Sequence, residues 1–195
     1  MPFSRGRSGA PSAALRGLRR KGVLSVPVFV DHAGPFATSW RTSGRGFVST
    51  GLVRLRIHPR AHVTIGSNVR INSGYGSNFV GSGQRTCIYV GRDAHLCVGS
   101  DVGLSNSVLI CTKQISIGDG CLIGGDCLIL DSDLHALPIG SDYVRAAEVK
   151  IDSRVFLGAR CIVLKGVHIP FGVVCGAGSV LRRKAAAPAS ADATY

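Results

Sequence analysis

The stretch Ile151-Asp152-Ser153-Arg154-Val155-Phe156-Leu157-Gly158-Ala159-Arg160-Cys161-Ile162-Val163 sets a beat of six residues, which continues at Ile169, Cys175 and Leu181. Four positions after each beat comes a second small or apolar residue: Val155, Cys161, Val167, Val173 and Ser179. The residue just after the beat is Asp152, Gly158, Pro170 or Gly176 in four of the units. The same grammar runs upstream in Ile117-Gly118-Asp119-Gly120-Cys121-Leu122 and Ile123-Gly124-Gly125-Asp126-Cys127-Leu128. It appears again as Ile65-Gly66-Ser67-Asn68-Val69-Arg70, Val90-Gly91-Arg92-Asp93-Ala94-His95 and Val98-Gly99-Ser100-Asp101-Val102-Gly103. A helix cannot use this period, because six residues are neither one turn nor two at 3.6 residues per turn. Short strands joined by corners can. Each unit then supplies one flat side of a coil, the beat residue points into a continuous core, and Gly or Asn takes the corner.

Composition agrees. Among 195 residues, 45% are apolar, 26 are Gly, 17% are charged and 6% are aromatic, which excludes a helical bundle, a coiled coil and a wholly disordered chain. The sequence predicts an all-β solenoid over 51–183, a basic irregular lead-in over 1–50 and a disordered tail over 184–195. The beat slips twice. One extra residue enters between Val98 and Ile117, and 22 residues separate Ile129 from Ile151, four more than three units, so one loop leaves the solenoid there. Loops on a regular scaffold are where function concentrates.

Lys and Arg number 23 against 11 Asp and Glu, a net charge of +12. Much of the excess lies at Arg5, Arg7, Arg16, Arg19, Arg20 and Lys21, with a second cluster at Arg182-Arg183-Lys184. Such charge suits a phosphate-bearing cofactor or an acidic membrane surface met by the N-terminus. Nucleic acid is not expected as a partner, because aromatics are not interleaved with the basic residues. No apolar run reaches the ~18–20 residues that span a bilayer. Gly22 to Val30 contains Pro27 and leads into Asp31-His32, so it does not read as a signal peptide. Seven cysteines, odd in number and without a C-x-x-C pair, indicate neither a disulfide framework nor structural zinc. Reduced thiols point to a cytoplasmic protein, and Cys121, Cys127 and Cys161 fall on core phases.

The loop opens with Leu130-Asp131-Ser132-Asp133-Leu134-His135. On an extended strand Asp131, Asp133 and His135 would face one way. An imidazole beside a carboxylate is the minimal kit for a general base with an orienting partner. His135 also lies six residues past Ile129, where an ordinary corner residue would stand, but the break in the repeat and the two acids favour chemistry. His32, His58, His62, His95 and His168 show no comparable setting.

Asp-Ser-Asp-Leu-His, a loop, and then Val149-Lys150-Ile151-Asp152-Ser153-Arg154-Val155-Phe156-Leu157-Gly158-Ala159 resembles the hexapeptide-repeat O-acetyltransferases. The maltose/galactoside, nodulation-factor and exopolysaccharide branch is the nearest in pattern. Cys161-Ile162-Val163-Leu164-Lys165-Gly166-Val167-His168-Ile169, Gly176-Ala177-Gly178-Ser179-Val180 and Gly103-Leu104-Ser105-Asn106-Ser107 extend the likeness over roughly 60–183. The resemblance implies a left-handed parallel β-helix of about six coils, a homotrimer, and acetyl-CoA in a groove between neighbouring chains. It implies His135 as catalytic base with Asp133, or Asp131, holding the imidazole. Asn106 and Asp131 would meet the acceptor. Gly158, Ala159 and Ala177 would line the pantetheine arm, with Arg182 and Arg183 near the cofactor, where guanidinium groups suit phosphates.

The expected reaction is acetyl transfer from acetyl-CoA to a hydroxyl of a sugar, or of a polysaccharide or lipopolysaccharide precursor, with no metal. Phe156 stands where the family commonly has Trp, Pro170-Phe171-Gly172 replaces a Gly-Asp-Asn type of corner, and the loop after His135 is short. The helical N-terminal segment of the sugar acetyltransferases is not recognisable either, and that segment and the loop help shape the acceptor pocket in relatives. An amino group on an amino sugar or nucleotide-linked amino sugar is the alternative acceptor. A zinc hydratase of the γ-carbonic-anhydrase type would need three converging imidazoles, and only His58 and His62 are close in sequence. A non-catalytic basic solenoid that binds anionic surfaces would leave Asp-Ser-Asp-Leu-His without a role.

Overall fold

Each beat residue becomes the inward member of a short strand, and the chain turns a corner after it. The computed structural model describes residues 28–30, 40–42, 45–76, 79–80, 83–136, 140 and 142–183. Among them there is no helix, and the strands form three sheets of wholly parallel pairs. Face A stacks β1 (Val28–Val30), β4 (Val53–Ile57), β7 (Cys87–Val90), β10 (Val108–Cys111), β13 (Leu128–Leu130), β16 (Ile162–Val163) and β19 (Val180–Leu181). Face B stacks β2 (Trp40–Thr42), β5 (His62–Ile65), β8 (His95–Val98), β11 (Gln114–Ile117), β14 (Val149–Ile151) and β17 (His168–Ile169). Face C stacks β3 (Val48–Thr50), β6 (Arg70–Asn72), β9 (Gly103–Ser105), β12 (Leu122–Ile123), β15 (Phe156–Leu157) and β18 (Val174–Cys175). The chain visits A, B and C in turn, a left-handed parallel β-helix of six coils with the first strand of a seventh.

The register shows why the beat works. Ile65, Val98, Ile117, Ile151 and Ile169 are successive partners on face B, all buried, so β-branched side chains stack along the axis. Burying apolar area at roughly 25 cal/mol per Å² drives the stacking, and each coil depends on its neighbours for that burial. Corners decide where glycine is needed. A Cβ on Gly118 would sit 2.5 Å from Ser153 N in the next coil, so only hydrogen fits there. Asn68, Asp101 and Asp126 supply the positive φ of other corners, which short polar side chains tolerate. Arg154 and Arg160 hold the same conformation at a steric cost.

Five of the seven cysteines, at 111, 121, 127, 161 and 175, are buried; Cys87 is half-buried and Cys97 exposed. The core thiols donate to carbonyls of adjacent coils: Cys121 to Asp152 O and Cys127 to Gly158 O, each at 3.1 Å, and Cys161 to Gly176 O at 3.2 Å. Burial pushes the Cys111 thiol up to about 12 and Cys127 up to about 11.

Two expectations change. The first coil, β1 to β3, lies inside the segment read as an irregular lead-in, because its strands lack the Gly-cornered beat that marks the later ones. The remainder of 1–44 and the tail 184–195 lie outside the described residues. The described residues between β6 and β7 (73–76, 79–80 and 83–86) also leave the solenoid, so among the described residues there are two excursions where one was expected. The outer surfaces differ. Face B presents His62, Thr64, His95, Ser116, Lys150 and His168, whereas face A presents Arg54 and Arg56 on β4 and then Tyr89, Val108, Ile110, Leu128, Leu130, Ile162 and Val180. No helix among the described residues is long and apolar enough to cross a membrane.

Candidate active site

The excursion of residues 131–148 leaves at the edge between faces A and B and is closed at its neck. Ser132 bridges Ala146 in antiparallel fashion, Asp133 N donates to Arg145 O at 3.0 Å, and Ala147 N donates to Asp131 O at 2.8 Å. Asp131 does not face outward. Leu130 pairs with Ile110, so the next residue, Asp131, takes the inward phase held by Cys111 one coil earlier. It is fully buried, and its carboxylate accepts bonds from Thr112 N, Lys113 N and Gln114 N at 2.7–2.8 Å and from Thr112 Oγ1 at 2.8 Å. Those amides belong to the tight corner between β10 and β11 and form a small anion-binding concavity. Both carboxylate oxygens are committed to that corner, which corrects the expectation that Asp131 faces the acceptor or the imidazole.

Asp133 is half-buried and pairs through Oδ1 with Lys165 Nζ of the following coil. Leu134 then adopts φ 61°, with its amide held by Ser132 Oγ at 3.1 Å. A bulky residue in this region is a backbone outlier, and such strain gathers at functional sites. The turn breaks the strand alternation and presents His135 to solvent, where it makes no hydrogen bond among the described residues. Between the excursion and face A runs an open groove lined by Tyr89, Ile110, Thr112, Ser132, Leu134, Val144 and Ala146. The expected common face of Asp131, Asp133 and His135 is therefore absent.

The remaining candidates divide between two edges. Arg182 and Arg183 are exposed just past β19, and Arg183 Cδ comes within 3.4 Å of where a Cβ on Gly166 would stand, on the same A–B edge as Lys165. Gly158, Ala159 and Ala177 lie on the edge between faces C and A. There a Cβ on Gly158 would meet Ala177 N at 2.6 Å, so this strip is backbone and methyl groups only. Asn106 is on that edge too, buried against Gly74. It accepts from Gly74 N at 2.8 Å through Oδ1, and its Nδ2 has no partner among the described residues. The chain thus carries His135, Asp133, Arg182 and Arg183 on one side of face A, and Gly158, Ala159, Ala177 and Asn106 on the other.

Sequence reasoning missed two groups. Lys165, the partner of Asp133, is one coil away and carries no local motif. His168 Nε2 lies 2.8 Å from Asp152 Oδ2, a histidine–carboxylate pair separated by 16 residues that only the coil register could have revealed. Of the histidines weighed for the zinc alternative, His58 Nδ1 accepts from Arg60 N at 3.1 Å, while His62 stacks on His95 with ring centroids 4.5 Å apart. Among the described residues no group of three or more metal-ligating side chains is assembled.

The family model for the hexapeptide repeat of succinyl-transferase matches residues 114–132 and 148–183, the coils on either side of the His135 excursion. No curated protein and no solved structure matches the chain. The matched repeat and the three-faced coil show a hexapeptide-repeat β-helix, similar to that of the succinyl-transferase type. The repeat suggests acyltransferase activity; proteins that carry it typically use an acyl-CoA and commonly form trimers.

Proposed function

We propose that this chain transfers an acetyl group from acetyl-CoA to a hydroxyl of a sugar, or of a polysaccharide or lipopolysaccharide precursor, with His135 as general base. The observation that carries the reading is the presentation of His135: a strained turn on a closed neck beside an open groove at the one break in the matched repeat. The residues suit the co-substrate. The smooth strip at Gly158, Ala159 and Ala177 can meet an extended pantetheine arm, and Arg182 and Arg183 can meet phosphates. Acetyl-CoA supplies a thioester whose leaving group needs no metal and no enzyme nucleophile.

His135 takes the hydroxyl proton on a ring nitrogen as the acceptor oxygen bonds to the acyl carbon. That proton passes to the departing thiolate when the C–S bond breaks. Oδ2 of Asp133, the oxygen not engaged by Lys165, is the acceptor nearest in sequence for the imidazolium proton. The two half-sets of residues flank the apolar outer surface of face A. In a homotrimer, the A–B edge of one protomer facing the C–A edge of the next would complete the site and cover that surface. Buried, reduced thiols suit a cytoplasmic setting, with the basic N-terminus available to an acidic membrane face.

The test is release of free thiol from acetyl-CoA against sugars, amino sugars and nucleotide sugars. With the true acceptor, His135→Ala is expected to lower kcat by ~10² or more. Thiol release that depends on an amino group would assign N-transfer. Thiol release unaffected by His135→Ala would remove His135 from the mechanism, and none with any acceptor would return the chain to a binding solenoid.

A further inference from the structure

At the corner between faces B and C, the residue after the beat is Gly66, Gly99 and Gly118 in three successive coils. A Cβ at those positions would lie 2.6, 2.7 and 2.5 Å from backbone of the next coil. The next member of this column is Asp152, followed by Pro170, so among the described residues of this column Asp152 alone carries a charge. Its carboxylate is held from two sides. Oδ2 lies 2.8 Å from His168 Nε2, and Oδ1 lies 3.3 Å from Lys150 Nζ. Lys150 and His168 are register partners, side by side on the outer surface of face B. The His168 hydrogen bond, with help from Lys150, holds the Asp152 carboxyl below its ordinary range. Around the corner stands Phe171, 62% exposed, with the Arg154 guanidinium 5.9 Å from its ring centroid. Ser116, Gly118, Lys150, Asp152, Ser153 and Phe171 line an open groove there.

The chemistry of the lining selects its ligand. An exposed aromatic face carries negative quadrupole charge and attracts the slightly positive C–H groups on the face of a pyranose. The rim of such a ring carries hydroxyls that both donate and accept. Asp152 accepts, while Lys150 and Ser116 donate, and all are fixed by the sheet register. A wholly apolar ligand would strip water from these polar groups without replacing it, and a lone phosphate would meet the Asp152 charge.

We propose that this groove is a saccharide-binding site, separate from the A–B edge that carries His135. It rests on the reading of a glycan acceptor, and gives a longer glycan a second point of attachment on the protein.

Calorimetry without acyl-CoA tests it, with maltotetraose, chitotetraose and tetragalacturonate as probes and the full chain as the protein. At least one probe is expected to bind. Phe171→Ala should weaken that binding at least tenfold, Phe171→Trp should retain it because stacking survives, and His135→Ala should bind as the wild type does. Unchanged binding in Phe171→Ala, or loss of binding in His135→Ala, would overturn the proposal. So would absence of binding by all three probes, including the case where Phe171→Ala alters the mass of the assembly and marks a contact between copies. A chain that binds saccharide here yet releases no thiol keeps the groove and loses the transfer reading. One that releases thiol onto short acceptors yet binds no probe keeps transfer and loses the groove.

Discussion

Asp131 sets a carboxylate on the inward phase that Cys111 and Val90 hold in the coils before it, and three backbone amides and a hydroxyl converge on it. The corner at Thr112 and Lys113 is short, so its amides have no strand partner and depend on this anion. Hydrogen bonds to a charged group are worth about 1.5–3 kcal/mol each, and leaving buried donors unmet costs more than a bond adds. Asp131→Asn, which turns an amide NH2 toward those donors, is therefore expected to destabilise the fold by about 2–3 kcal/mol. A urea midpoint equal to wild type would free Asp131 for the acceptor role that the resemblance implies. The expected common face with His135 rested on alternation along a strand. The strand ends at Leu130, and Leu134 at φ 61° turns His135 away from the line of Asp131 and Asp133. Period two says nothing of where a strand stops. The acid pair and the histidine were legible as residues, but their directions were not.

Corners are the elements on which this fold turns, and the cysteines that line them tie adjacent coils through thiol–carbonyl contacts. Burial raises Cys111 to about 12 and Cys127 to about 11, against roughly 8.5 in an unfolded chain. A thiol whose folded value is raised keeps its full contribution below the unfolded value. That contribution falls as pH rises above it, because the unfolded chain gains thiolate that the folded chain refuses. Stability is thus expected to decline from about pH 9 toward pH 11–12, more steeply than in a Cys111→Val, Cys127→Val chain. Thermal midpoints across that range measure it, and identical slopes in both proteins would contradict the inward phase of these thiols. A chromogenic thiol reagent at pH 8 should find Cys97 first and reach the buried five only on unfolding. The beat announced these core positions from the sequence. It hid the excursion between β6 and β7, because Gly74, Gly76 and Gly83 repeat the composition of an ordinary corner and only the strand register shows that the coil has been left.

At the scale of the whole molecule, the two half-sets of candidate residues lie on opposite margins of face A, whose outward side chains are mostly apolar from β7 onward, past Arg54 and Arg56 on β4, where those of face B are polar and charged. An apolar sheet surface of that extent is the kind that another copy covers. The repeat could reveal the coil but not this division, since edge membership follows from register summed over six coils. If the site is composite, two variants inactive for different reasons must rescue each other. His135→Ala damages the A–B edge and leaves the C–A edge whole. Ala177→Trp blocks the C–A strip from an exposed position and leaves His135 whole. Each alone should release little thiol. Unfolded together in equal amounts and refolded, they assemble at random, and an intact site needs a sound A–B edge from one protomer facing a sound C–A edge from its neighbour. In a cyclic trimer that occurs at half times half of the interfaces, so about a quarter of wild-type turnover should return. Mixing the two without unfolding should return nothing while subunits stay put. Refolded mixtures as inactive as their parents would place the whole site within one chain and detach face A from catalysis.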